Sequence, residues 1–221
     1  MLDHRAPVTP SDLTAAVDCL LAALGPAAAT AGPADWSVPA RESDWTCWEA
    51  LEHLADCLLA YALQLGPQQP PLDDYVPLAW AHRRDGGPGT AIAVDPSSGP
   101  VGLLEAIAAT GGVAVAIAGA RGPQVRAKHS YGIADPEAFA AMGVVETLVH
   151  GYDVCAALGV ELRPPAELCA RTLARLFPEV PVGEDPWQAL LWATGRIDLP
   201  ALGEGRRTFT TWHSAPLHEG E

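Results

Sequence analysis

Lysine is nearly missing: Lys128 stands alone among 13 basic residues, against 27 Asp and Glu, and the formal net charge is -14. Such a surface repels nucleic acid and anionic membranes over most of its area, which argues against both as partners and leaves room only for a local positive pocket. That pocket must be built mainly from arginine, whose rigid fork suits bidentate recognition of carboxylates, so the composition points to small acidic ligands. Cysteines are few and odd in number. Cys19, Cys47, Cys57, Cys155 and Cys169 show neither C-x-x-C spacing nor the density of a disulfide scaffold, and read as small buried apolar residues. The stretch MLDHRAPVTPSDL lacks an apolar run and a small-residue cleavage site, so neither leader nor anchor is indicated and a cytoplasmic location is expected. Internal repeats and low-complexity tracts are also missing.

What is present is a chain of 221 residues, 49% of them apolar, long enough for one sizeable core with a smaller appendage. Leu13, Val17, Leu20, Leu21 and Leu24 recur at helical spacing and predict a first helix from Ser11 to Leu24, stopped by Gly25. Thr46 and Glu49 form a capping-box pattern before a second helix, whose stripe runs through Leu51, Leu54, Leu58, Ala62 and Leu65 to a stop at Gly66. Between Pro67 and Ser98, YVPLAWAHR and TAIAV read as a hairpin around DGGPG. VGLLEAIAATGGVAVAIAG reads as one long helix despite Gly111 and Gly112, and VRAKHSYGI as a short extended piece. Asp135 and Pro136 then open a helix that closes at Gly159. PPAELCARTLARLFP and DPWQALLWATG predict two short helices, and RRTFTTWHSAPLHEGE a strand before a fraying end.

The helix that closes at Gly159 carries an anomaly. Phe139, Met142, Glu146, His150, Asp153 and Ala157 fall on one line of the helix, and apolar residues surround that line. A helix apolar nearly all round belongs in a core, and three ionisable groups on one stripe disfavour a membrane span. Burying a carboxylate and an imidazole without partners costs several kcal/mol, roughly the whole stability margin of a small domain. A divalent metal would offset that cost, because Glu146 and His150 lie one turn apart and can reach the same ion. The third ligand must come from another helix. His4, His213 and His218 lie near the termini, His82 in the hairpin and His129 in the loop before the helix, whereas His53 sits mid-helix beside the apolar stripe, in line with Cys57 and Tyr61. An E-x-x-x-H pair alone is common by chance, and a metal-free polar network in which Glu146 and His150 satisfy each other is the competing reading. Two histidines and one carboxylate leave a fourth tetrahedral position open, as in catalytic or ligand-binding zinc sites that activate water or bind a thiol as thiolate. Asp153 and Asp56 follow His150 and His53 by one turn. Each can orient an imidazole or hold a substrate amine, with plain surface solvation the simpler role for Asp56.

WTCWEALEHLADCLLAYALQL and HSYGIADPEAFAAMGVVETLVHGYDVCAALG resemble the two signature helices of the mycothiol-dependent maleylpyruvate isomerase group within the DinB-like superfamily. The resemblance spans roughly residues 10–160, and LLWATGRIDLP is similar to the tail of short members of the group. It implies a mainly α protein: a DinB-like metal-binding four-helix bundle over 1–160, with a small C-terminal α/β extension over 161–221 packed on it. It also implies a divalent metal, usually zinc, on His53, Glu146 and His150, the three residues already singled out. The group's named enzyme adds a mycothiol thiolate to the cis double bond of maleylpyruvate, allows rotation, and expels the thiol to leave the trans isomer; relatives transfer the thiol to electrophiles. The departure is at the C-terminus, where the full isomerase resembles a larger second domain, and this puts maleylpyruvate itself in doubt as the substrate. Arg196 is the candidate for an arginine reaching the cavity, with Arg83 and Arg84 as alternatives, and Asp153 the candidate carboxylate. The expectation is a zinc-dependent isomerase or S-transferase, monomeric or homodimeric, whose partners are a small substrate and mycothiol or another low-molecular-weight thiol. The alternative is a metal- or small-ligand-binding module without turnover, such as a sensor or accessory protein.

Overall fold

Helix α1 (Pro10–Thr30) starts where the Asp12 carboxylate accepts hydrogen bonds from the Thr9 backbone N–H at 2.8 Å and hydroxyl at 2.9 Å. These relations come from a computed structural model that describes residues 6–203, 205–209 and 211–217; the candidate ligands His4 and His218 lie outside them. The predicted stop at Gly25 does not occur, and α1 continues through Pro26. Glycine and proline cost a helix interior about 1 and 3 kcal/mol, but Leu20, Leu24 and Ala28 extend one buried stripe across the site and tertiary packing overrides propensity. Helix α2 (Cys47–Leu65) begins at the expected Thr46–Glu49 capping box and ends at Gly66.

The intervening hairpin is reduced to β1 (Ala81–His82) and β2 (Gly89–Thr90), paired antiparallel. Helix α3 (Gly99–Ala120) passes unbroken through Gly111 and Gly112. Gly111 serves packing, since a Cβ there would sit 3.1 Å from a Val17 methyl of α1. The short extended piece is a second hairpin, β3 (Ala127–His129) with β4 (Gly132–Ala134). Asp135 then caps α4 (Pro136–Ala157) by accepting from Ala138 N–H at 2.8 Å.

Helices α1 to α4 pack against one another, and α4 is buried on nearly every face. Gly151 admits α1 so closely that an added Cβ would lie 2.7 Å from Leu20. By length and composition α1 and the stretch Pro96–Ala120 could each cross a membrane; here both contribute buried residues to the helical core.

Helices α5 (Ala166–Leu176) and α6 (Pro186–Ala193) follow, with α5 packed on α4. Arg171 of α5 pairs with Asp12, and buried Arg175 reaches Asp135 at 3.2 Å and the carbonyls of His213 and Ser214 at 2.7 and 3.3 Å. The strand expected after residue 205 is not formed among the described residues: only an isolated bridge joins Asp198 and Arg206. Phe209 and Trp212 instead bury their rings against each other and against the β3–β4 hairpin, a gain that needs no ladder. The described part of the C-terminal extension is therefore helix and irregular chain, not α/β, and the protein as a whole is mainly α.

Candidate functional site

His53 projects from α2, and Glu146 and His150 from successive turns of α4. One donor atom of each lies within 4.8 Å of the others. Glu146 Oε2 is 3.1 Å from His150 Nε2, and Oε1 accepts the Tyr61 hydroxyl at 3.1 Å. His53 Nε2 stands 3.3 Å from Cys57 Sγ, one turn along α2. Trp45 covers the group, its ring 4.8 Å from that of His53 and stacked 6.1 Å from that of His150.

Burial, with His150 adding and Glu146 opposing, lowers the pKa of His53 to about 4. Burial alone would raise Glu146, but His150, His53 and Tyr61 outweigh it and hold the carboxyl below its usual range. At neutral pH the site thus offers a neutral imidazole and an ionised carboxylate, the protonation states a metal requires. Two imidazoles and a carboxylate suit zinc, whose bonds of about 2.0–2.2 Å place tetrahedral donors about 3.4 Å apart. The donor set fits a divalent ion after small side-chain movements.

The three residues line a cavity of about 630 Å³. Of the three candidate arginines, Arg196 reaches it, and it also borders a neighbouring space of about 250 Å³. Its Nη2 and Nε donate to Asp153 Oδ2 at 3.1 and 3.3 Å and its Nη1 to the Thr194 carbonyl at 2.7 Å, while Arg41 donates to its backbone carbonyl at 2.6 Å. Asp153 therefore holds the arginine, where the sequence suggested that it orients an imidazole or holds a substrate amine. Arg83 pairs with Glu52 at 3.0 Å and Arg84 with Glu49 at 2.6 Å, and neither lines the cavity. Asp56 is not a solvated surface group. It is 1% exposed, accepts the Ala91 and Ile92 N–H groups at 2.8 and 3.0 Å, keeps Oδ2 buried without a partner, and is shifted upward in pKa by that burial.

The residue that sequence reasoning passed over is His129. Strand β3 buries it in the cavity wall, stacked 5.7 Å from Trp212 and edge-on to Tyr61. Burial lowers its pKa to about 4, with Glu146 opposing. Nδ1 accepts the Tyr131 N–H at 3.3 Å, so the neutral ring carries its proton on Nε2. The alternation of AKH and GIA about SY was the available signal for a hairpin, although nothing local showed which way His129 would face. Cys57, read from sequence as packing, also lines the cavity.

Comparison of the chain with protein-family models, with curated proteins and with solved structures gives no match.

Proposed function

We propose that the protein is a zinc-dependent enzyme of DinB-like fold that works in the cytoplasm with a low-molecular-weight thiol, mycothiol on the resemblance of its two helices. The reaction is either cis–trans isomerisation of a maleylpyruvate-like unsaturated acid or transfer of the thiol to a small electrophile. The observation that carries this reading is the approach of His53, Glu146 and His150 within 4.8 Å beside a cavity large enough for both thiol and substrate.

Those three side chains would hold the ion, which when bound would keep a thiol ionised as a nucleophile at neutral pH. The remaining roles belong to the chain. Tyr61 fixes the orientation of Glu146 through its hydroxyl, and Trp45 shields both imidazoles from water. Asp153 and the Thr194 carbonyl set the guanidinium of Arg196 at the cavity wall, where its remaining N–H groups can hold a substrate carboxylate. His129 adds a neutral N–H donor to the wall.

One observation favours a second reading, the metal-free network: both Glu146 oxygens already have partners, Tyr61 and His150. Elemental analysis of untagged wild type and His150→Ala separates the two. About one zinc per chain, lost in the variant, supports the metal site; no metal in either after zinc addition and washing overturns it. A binding module without turnover keeps the zinc but consumes no electrophile. Stoichiometric loss of thiol with product identifies S-transfer, and unchanged thiol with product identifies isomerisation.

A further inference from the structure

We propose that the cavity selects a flat aromatic ligand bearing an acidic group, so that the unsaturated acid or electrophile it acts on carries an aromatic ring as well; this rests on the cavity being the enzyme's site. Aromatic residues are 6% of the chain, yet three of its 4 tyrosines and Trp45, Trp80 and Trp212 line this one space. The inner rings pack on one another: Tyr61 lies edge-on to Phe139 at 5.5 Å and to His129 at 5.7 Å. The outer rings are less covered, even where Tyr131 packs edge-on to Trp212 at 5.4 Å. Tyr75, Trp80 and Tyr131 remain 43%, 52% and 40% exposed, and exposed large aromatics gathered around a cavity mark a ligand surface.

The segment bearing Tyr75 is pinned in place. Buried Gln64 donates to the Pro71 and Asp74 carbonyls, both at 3.3 Å, and accepts the Val76 N–H at 3.0 Å. Lys128 donates its backbone N–H to Pro71 and its ammonium to the Asp73 carbonyl, and the Tyr75 hydroxyl lies 2.8 Å from Ser130 Oγ. The ring is thus held outward in advance, which lowers the ordering cost of binding.

A box of aromatic faces can take a flat ring by stacking or a cation by its quadrupole. Charge decides between them. The cationic side chains in the wall are Lys128, 5.7 Å above the Tyr75 ring, and Arg196, which is already paired with Asp153. The carboxylate in the wall is Glu146, whose oxygens are taken by Tyr61 and His150. The chain's one lysine, on a molecule of net charge -14, stands beside this cavity. A ring with an anionic substituent satisfies the faces and the cations together.

The test is isothermal titration of the full chain, zinc-loaded and EDTA-treated, with 2-naphthoate, cyclohexanecarboxylate, 2-naphthylmethanol and phenyltrimethylammonium. We expect 2-naphthoate to bind about 10-fold tighter than each of the others. Trp80→Ala should weaken it about 5-fold while Trp80→Phe restores most of the affinity, and Lys128→Gln should weaken 2-naphthoate more than 2-naphthylmethanol. Trp80 is exposed and Lys128 half-buried, and circular dichroism checks that the variants fold. Equal binding of the two carboxylates, tighter binding of the cation, or indifference to Trp80→Ala overturns the proposal. Selective 2-naphthoate binding in a protein that takes up no zinc sinks the metal reading and leaves the aromatic slot standing; zinc uptake without that selectivity does the reverse.

Discussion

Replacing Glu146 with glutamine keeps the shape of the side chain and removes the one negative charge of the candidate metal ligands. In zinc-free protein the change should be small. The amide can still accept the Tyr61 hydroxyl, while its NH2 group faces His150 Nε2 across the present 3.1 Å contact, and exchanging one such hydrogen bond costs about 1 kcal/mol. For a chain of 221 residues, that is a fall of about 2–4 °C in Tm. With zinc the expectation is different. A ligand present at 100 times its Kd stabilises the folded state by about 2.7 kcal/mol, so wild type should gain about 5–10 °C on zinc addition. Glu146→Gln, offering the ion two neutral imidazoles and an amide, should lose nearly all of that gain. Scanning calorimetry of both proteins, with EDTA and with a zinc series, reads the difference directly. An equal zinc shift in both, or none in wild type, refutes the assignment of Glu146 as a ligand.

Asp153→Ala should leave zinc content unchanged but release Arg196, raising KM for an acidic substrate about 10-fold with little change in kcat; a fall in zinc content would contradict the role given to the pair. Arg175→Ala strips partners from Asp135 and from the His213 and Ser214 carbonyls in a buried setting, and should cost about 3–5 kcal/mol in urea unfolding. His53 and His129 are neutral in the folded chain down to about pH 4, whereas an unfolded histidine takes a proton near 6.5. The unfolded state therefore binds more protons between those values, and stability of zinc-free protein should decline as pH falls from about 6.5 towards 4. His129→Phe should make that decline shallower, as urea midpoints across the range would show. Asp12 has the opposite chemistry but the same direction: burial pushes its carboxyl up, Arg171 and Thr9 pull it further down, and the stability it contributes is present above about pH 3.8 and lost as pH drops through its lowered folded value.

Spacing made much of this legible. Apolar residues at three and four predicted α2, α3 and α4, and the same period aligned Glu146 with His150, because both signals are local to one helix. His53 was reached by asking which other histidine lay within a helix. What escaped was decided across long separations. Gly25 and Pro26 look like a helix end until Ala28 is seen to continue the buried stripe. Asp153 meets Arg196 43 residues later, and no pattern on α4 foretold that. Trp212 and Phe209 were read as strand residues, yet their rings close on a hairpin some 80 residues earlier that has no edge long enough to pair with them.

Arg175 ties together three distant parts of the chain: the N-cap of α4, the last turn of α5 and the carbonyls of residues 213 and 214. Ser214 in turn donates to the Tyr131 carbonyl, beside the stacked pair of Trp212 and His129. The C-terminal tail is consequently a wall of the cavity that holds His53, Glu146 and His150. Peeling it back would at one stroke take the His213 and Ser214 carbonyls from Arg175, which also holds the cap of the helix bearing Glu146 and His150, and open the aromatic side of the cavity to water, so that damage at residues 211–217 would register at the candidate metal ligands.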